Sequence, residues 1–431
     1  MLTAVGRAFK TPDLRRKILF TLAIIGIYRL GSFVPGPGVS YVAIRACLKQ
    51  VEGEGIYGLV NLFSGGALLQ LSVFALGIMP YITASIILQL LVVVIPRLEE
   101  LKKEGQAGQA KITQYTRYLT VALAVLQSTG IVALARSGRL FQECNEDLIP
   151  DESLFRILVL VLTMTAGTAV IMWLGELITD RGVGNGMSVL IFTSIISSIP
   201  GQAGNLYGSE NGPLKVLMIG LLAIVVITLV VYVEQAQRRI PVQYAKRMIG
   251  RRMYGGTSTY IPLKVNQAGI IPVIFASSLL YLPQLLGNVW TSNTAFTGFI
   301  STYLTQPTNP VYLAIYFGLI VFFTYFYVAI TFNPVEVSDN MKKYGGFVPG
   351  IRPGRATAEY LDFILSRITA FGALYLGLVA VLPYLLFGLT GTGEQIPFGG
   401  TAVLIIVGVG LETVKQIESQ LMLRNYEGFL R

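Results

Sequence analysis

The sequence predicts an all-α membrane protein, with ten transmembrane helices in two inverted five-helix halves. Of its 431 residues, 53% are hydrophobic and only 13% are charged, and the mean hydropathy is +0.64. Such a composition is typical of a chain that crosses a membrane many times. Uncharged windows of about twenty residues, long enough to span the hydrocarbon core, recur along it. They lie near 18–35, 68–95, 117–136, 154–175, 186–201, 214–233, 268–287, 311–332, 368–389 and 399–414.

The uncharged stretch at 55–96 is too long for a single span. As one helix it would run about 60 Å, roughly twice the thickness of the hydrocarbon core. It opens with a flexible, half-polar segment at 61–66 and continues as an apolar helix over 67–95, interrupted by Gly77 and Pro80. We expect a re-entrant segment followed by a spanning helix. Because non-helical backbone at membrane depth needs surrounding protein or water, the chain is predicted to enclose a cavity or channel.

The distribution of lysine and arginine predicts the orientation. Most of the 33 Lys and Arg residues precede the first span or follow an even-numbered one. Basic loops stay in the cytoplasm, so both termini are expected there. The acidic loop at 143–152 then falls on the outside.

Turn-forming residues over 201–213 predict a linker between an N-terminal half, 1–200, and a C-terminal half, 214–431. Five spans per half make the second half inverted relative to the first. Inverted halves that meet at a central site recur among membrane transport proteins.

Several kinds of chemistry are excluded by residue types. The chain has no histidine, which rules out His-based catalytic triads and the commonest zinc sites. The glycine-rich turn at 182–186 lacks the dinucleotide-binding spacing. We therefore expect no catalytic residues, metal or cofactor. Cys47 and Cys144 fall in different outside loops without framework spacing, which favours two unpaired thiols over a disulfide.

The residues alone leave the transported material open. An ion-coupled carrier of small solutes needs ionisable groups near the midplane of its spans. Here Arg29, Glu176 and Glu412 all lie toward span ends. This distribution disfavours a solute carrier without excluding one.

Two long cytoplasmic loops carry further patterns. Ile240, Val242 and Tyr244 alternate as in a strand, which predicts a projecting hairpin between spans six and seven. In the loop between spans eight and nine, prolines and glycines over 345–355 predict a turn that displays Arg352. Such a turn suits contact with lipid headgroups, or docking of RNA phosphate or an acidic protein surface, and physics alone does not choose.

Short motifs along the chain then occur in the order found in one known family. They are NLFSGGA at 61–67, ALGIMPYI at 75–82, KEG at 103–105, QYTRY at 114–118, MWLGE at 172–176, GNG at 184–186, RR at 238–239, YAKR at 244–247, PLKVN at 262–266 and FVPGIRPG at 347–354. Over essentially its full length the chain resembles SecY, the channel subunit of the bacterial protein-conducting translocon.

This resemblance implies a clamshell in the bacterial cell (inner) membrane that hinges near 201–213. It would open across the membrane for secreted chains, and sideways between spans two and three and spans seven and eight. Gln89 and Asn266 would flank this lateral gate. The implied partners are the SecE and SecG subunits, the SecA motor ATPase, the ribosome with its targeting factors, signal peptides, nascent membrane proteins and the lipid bilayer.

The resemblance also implies three sets of site residues. A constriction ring would consist of Ile78, Ile82, Met187, Ile191, Ile274 and Ile405. A short plug helix at about 58–72, below the ring on the outer side, would include Asn61, Phe63, Ser64, Gly65 and Gly66. Docking of the motor and the ribosome would use Arg352, Arg251, Arg252, Lys246 and Arg247.

Overall fold

The computed structural model describes residues 9–50, 64–136, 148–150, 153–208, 212–244, 247–249, 252–254, 258–289, 298, 303–304, 309–390 and 400–427. Its helices are α1 (Pro12–Phe33), α2 (Tyr41–Gln50), α3 (Met79–Val94), α4 (Pro96–Lys103), α5 (Gln106–Arg136), α6 (Leu154–Arg181), α7 (Gly186–Gly208), α8 (Gly212–Gln235), α9 (Ile271–Val289), α10 (Pro310–Thr331), α11 (Pro334–Lys343), α12 (Arg355–Thr390) and α13 (Gly400–Glu427). Its strands are β1 (Gln237–Tyr244), β2 (Arg247–Ile249), β3 (Arg252–Tyr254), β4 (Ser258–Lys264) and β5 (Gly346–Phe347).

The helices confirm the predicted class, an all-α membrane protein. In the described part of the chain, six helices are long and apolar enough to cross a membrane, or seven if the bent pair α3 and α4 forms one span. Two shorter apolar helices lie at Gly186–Gly201 and Ile271–Leu280. Each of the ten predicted spans falls on a helix, although fewer than ten meet this criterion of length and hydropathy.

The predicted apolar helix over 67–95 is wrong in its first part. Residues 65–78 form consecutive turns, and α3 begins only at Met79. Three glycines and Leu71 in this stretch have positive φ, which a right-handed helix does not contain. Pro80 follows in the first turn of α3, where its missing N–H costs no hydrogen bond.

The turns at 65–78 are tied to the end of α1 by backbone hydrogen bonds. The Gly36 N–H donates to the Leu71 carbonyl at 2.9 Å, and the Val73 N–H donates to the Val34 carbonyl at 2.9 Å. This pairing fixes the far end of the re-entrant segment and leaves its beginning to be held by other contacts.

The linker predicted over 201–213 is largely helical, which corrects the expectation of an irregular connection. Helix α7 continues to Gly208 with Pro200 inside it, and α8 begins at Gly212. Residues 209–211 lie outside the described residues. Local turn propensity is therefore overridden at 201–208 by continuation of the helix.

The predicted hairpin between spans six and seven is confirmed. Strand β1 pairs antiparallel with β4, and β5 from the loop between spans eight and nine pairs with the other edge of β1. The side chains that face inward from this sheet pack on α12 in one small apolar cluster, formed by Ile240, Leu263, Val348, Leu361 and Ile364. Both loops therefore form one unit.

One sequence expectation about the cysteines is wrong. Cys47 is disulfide-bonded rather than free, and it is fully buried on α2 beside Ile44. The chain has one other cysteine, Cys144, which lies outside the described residues. Cysteine spacing failed here because residues far apart in sequence can pair without any local pattern.

Candidate channel site

The six predicted ring residues share one apolar cluster at the contact between the two predicted halves. Helix α9 packs on α3 and α5, and α7 packs on α13. Five ring side chains are buried in this cluster and Met187 packs against it from a half-buried position, the buried five being Ile78, Ile82, Ile191, Ile274 and Ile405. The arrangement places apolar groups from four chain segments in one cluster.

Met187 is placed by the turn that starts α7. The Asn185 Oδ1 accepts a hydrogen bond from the Met187 N–H at 3.1 Å, which caps the helix. The Met187 sulfur then lies over Gly175 of α6, where an added Cβ would come within 2.4 Å of it. The flexible thioether thus fills the space between α6 and α7, at the edge of the apolar cluster.

Part of the predicted plug can be described. Ser64 is helical, and turns follow over 65–71, where the positive φ of Gly65, Gly66 and Leu71 is incompatible with a right-handed helix; residues 58–63 of the predicted plug helix lie outside the described residues. Ser64 is fully buried, and its Oγ accepts a hydrogen bond from the Leu68 N–H at 3.1 Å. Asn61 and Phe63 lie outside the described residues.

Two helices, α1 and α7, contact the re-entrant segment at Gly65. Arg29 Nη1 of α1 donates to the Gly65 carbonyl at 2.6 Å. On the other side, a Cβ added to Gly65 would lie 3.1 Å from Ser197 Oγ and 3.2 Å from Ser194 Cα of α7. A side chain at Gly65 would therefore need its neighbours to shift by a few tenths of an ångström, and it would be strained by the φ of +65°.

The two predicted lateral-gate residues are not brought together by a hydrogen bond. Gln89 is exposed on α3, whereas Asn266 is buried just before α9. The Asn266 amide donates to Glu234 Oε1 at 2.5 Å and to the Gly269 carbonyl at 3.0 Å. Both hydrogen bonds of the Asn266 amide nitrogen are thus made within the C-terminal half, at the junction of α8 and α9.

The turn that carries Arg352 is held from both sides. Gly350 and Gly354 have φ of +84° and +102°. The Arg352 carbonyl accepts from Thr357 Oγ1 at 2.8 Å, and the Gly354 carbonyl accepts from Ser338 Oγ at 2.7 Å. The Arg352 side chain itself is exposed. A fixed backbone that presents an exposed guanidinium suits bidentate contact with a carboxylate or phosphate.

The other predicted docking residues are only partly placed. Arg247 and Arg252 lie on the paired strands β2 and β3, at the tip of the hairpin. Lys246 and Arg251 lie outside the described residues.

Sequence reasoning missed an ion pair between α5 and α6. Arg117 donates through Nε and Nη2 to the two carboxylate oxygens of Glu176, at 2.9 and 2.8 Å, and through Nη1 to Gln114 Oε1 at 3.0 Å. Both ends lie in the motifs at 114–118 and 172–176, which was the available signal. The pair fixes two neighbouring helices at the end predicted to face the cytoplasm.

Known structures resemble this fold closely. One described as "The structure of a protein conducting channel" matches with a TM-score of 0.63 at 18% identity, covering 94% of this chain and 91% of its own. Another, described as "The plug domain of the SecY protein stablizes the closed state of the translocation channel and maintains a membrane seal", has a TM-score of 0.61 at 19% identity, with the same coverage. A third, "Sec61 in the Canine ribosome-channel complex from the endoplasmic reticulum", has a TM-score of 0.60 at 18% identity over 94% of this chain and 91% of its own. At these identities the likeness shows the fold.

The sequence comparisons show the family. A family model described as SecY matches residues 72–414. Proteins named protein translocase subunit SecY from Streptomyces scabiei and Mycobacterium tuberculosis are 64% and 61% identical to this chain over 442 aligned residues, each alignment covering 100% of both chains. With both the family model and the full-length identity in agreement, this chain belongs to the SecY family.

Proposed function

We propose that this chain is the pore-forming subunit of a protein-conducting translocon, a multi-pass protein of the bacterial cell (inner) membrane with both termini in the cytoplasm. It moves unfolded preproteins across the membrane and releases the helices of membrane proteins sideways into the bilayer. The observation that carries this proposal is the single apolar cluster that holds all six ring residues where α3 and α7 meet α9 and α13.

An apolar ring suits this function because it seals without a rigid gate. A narrow passage lined by branched aliphatic groups expels water and therefore blocks ions. Aliphatic side chains also yield to polypeptides of different shapes, since no specific hydrogen bond has to be broken. The near absence of charged groups inside the spans fits a channel for varied polypeptides better than an ion-coupled solute carrier.

The turns at 64–72 support a movable plug. They pair with the end of α1 and lead directly into Ile78 and α3. Leu68 and Leu71 of this segment pack into an apolar cluster separate from the one that holds the ring residues, so the segment can move without dismantling the ring. We infer that it blocks the outer mouth below the ring and is displaced when a polypeptide enters.

The lateral gate lies along α9 where it packs on α3 and α5. Opening this contact, with the hinge near 201–213, would expose a passing helix to lipid. Gln89, exposed on α3, and Asn266, held by Glu234, belong to the two sides of the gate.

The sheet β4-β1-β5 and the Arg352 turn support cytoplasmic docking. They form a basic projection that joins two loops, with Arg238 and Arg239 exposed on β1. We assign contact with the SecA motor to Arg352, and docking of the ribosome and its targeting factors to Lys246, Arg247, Arg251 and Arg252. The small subunits SecE and SecG complete the complex, and signal peptides and nascent membrane proteins are its cargo.

Reconstitution tests this proposal. Vesicles that contain this chain with SecE and SecG should take up an unfolded preprotein only when SecA and ATP are added. A solute carrier would instead move a small solute alone, driven by an ion gradient. Gradient-driven solute uptake without preprotein uptake would overturn the assignment.

A further inference from the structure

Arg29 is a charged residue near the C-terminal end of the apolar helix α1. The ion pairs in the described part of the chain do not include it. Its guanidinium carbon lies 4.7 Å from the centre of the Phe33 ring, and its one hydrogen bond in the described structure goes to the Gly65 carbonyl. An arginine near the end of a span usually extends toward the headgroups, whereas this one donates to a backbone carbonyl 36 residues away, which favours a functional role.

The geometry points to a latch: we propose that Arg29 is a positioning residue that holds the re-entrant turns at 64–72 in the closed position. This proposal rests on the plug function proposed above. The bond from Arg29 Nη1 to the Gly65 carbonyl is short, at 2.6 Å, and charge-assisted. It joins α1 to the beginning of the segment, whereas the backbone pairs at Leu71 and Val73 hold only the other end.

Helix α7 provides the second contact at Gly65, through Ser194 and Ser197. Ser197 Oγ donates to the Ser194 carbonyl at 2.8 Å, and Ser194 Oγ bonds the Tyr28 hydroxyl at 2.6 Å. Tyr28 precedes Arg29 on α1, so this bond fixes α7 beside the arginine. Gly65 is buried in the resulting gap between Arg29 and the two serines.

A neutral carbonyl suits a bond that must break and re-form. An arginine paired with a buried carboxylate would leave an uncompensated charge whenever the segment moved, which is strongly unfavourable. A carbonyl carries no net charge, and Arg29 is only half-buried, so water can replace Gly65 as its partner. A hydrogen bond to a charged group contributes enough to shift an equilibrium between closed and open about 10- to 100-fold.

The test is the resting ion conductance of the reconstituted channel in planar bilayers, without a motor or a preprotein. We expect Arg29→Ala and Arg29→Gln to raise the open fraction about 10- to 100-fold, and Arg29→Lys to rescue most of the seal. Gly65→Ala should leak as well, because its Cβ would meet Arg29 Nη1 and Ser197 Oγ at 3.1 Å. Arg156→Gln is the matched control, since it removes an exposed positive charge from the start of α6.

A second readout follows the segment itself. A cysteine placed at Gln70, which is half-buried, should react with a water-soluble maleimide faster in Arg29→Ala by the same factor as the conductance rises. A merely structural arginine would lower thermal stability without this selective increase.

Replacement of residues 64–70 by a glycine-serine linker of equal length separates the latch from the plug. If this replacement leaks but both Arg29→Ala and Arg29→Gln stay sealed, the latch is wrong while the plug stands. If the replacement itself stays sealed, the plug is wrong and the latch falls with it.

Discussion

Asparagine at Ile405 should turn the closed channel into a leaking one. The Ile405 side chain is 0% exposed, so the substitution removes a fully buried aliphatic group from the predicted ring. Full burial of such a side chain contributes about 1.5–3 kcal/mol. An amide buried without partners costs about 1–3 kcal/mol more. The closed state therefore loses about 2.5–6 kcal/mol. In an open state the pore is wet and the amide can bind water, so part of this loss applies to the closed state alone, and each 1.4 kcal/mol of that part raises the open fraction about tenfold.

Ile320→Asn is the matched control for this experiment. Ile320 on α10 is also 0% exposed and belongs to the same apolar cluster, but it is not a ring residue. Both variants should lower the thermal unfolding midpoint of the purified complex to a similar degree, because both lose the same buried group. Only Ile405→Asn should raise the resting ion conductance of proteoliposomes.

Two results would refute the reasoning. Equal leakage from both variants would mean that any disruption of the core opens the channel, and the six ring residues would then not be the ones that block ions. A sealed Ile405→Asn channel with a lowered unfolding midpoint would show that Ile405 is ordinary core. Ile274→Asn on α9 should behave as Ile405→Asn does, which extends the test to a second helix.

Three further predictions follow from single contacts. Arg352→Glu should abolish SecA-driven export while assembly with SecE is unchanged, because the side chain is exposed and only its charge is reversed. Arg355→Glu reverses the charge of a neighbouring exposed arginine and should export normally, and equal export by both variants would refute the assignment. Glu176→Gln should lower stability by about 1 kcal/mol, seen as a reduced thermal midpoint, because its arginine partner is 42% exposed and the bridge is partly screened. Mass spectrometry of the unreduced, alkylated protein should find a peptide containing Cys47 joined to one containing Cys144; free alkylated thiols at both would contradict the disulfide.

The sequence by itself determined the class of this protein and the positions of its helices. Hydropathy is a local property, since each window of about twenty residues must satisfy its own backbone hydrogen bonds within lipid. The alternation at 240–244 predicted strand β1 for the same local reason. The resemblance to the family supplied the predicted ring residues, which composition could not separate from other buried isoleucines.

Tertiary structure decided what depended on distant partners. The helix predicted over 67–95 starts at 79, because the preceding residues are held as turns by contacts with α1 and α7. The hydrogen bond from Arg29 to Gly65 exists only because the segment that contains Gly65 is folded back beside α1. The Cys47 disulfide and the Arg117–Glu176 pair likewise join segments far apart in sequence. Such pairings depend on how the helices pack, and no local pattern of residues encodes the distance between two helices.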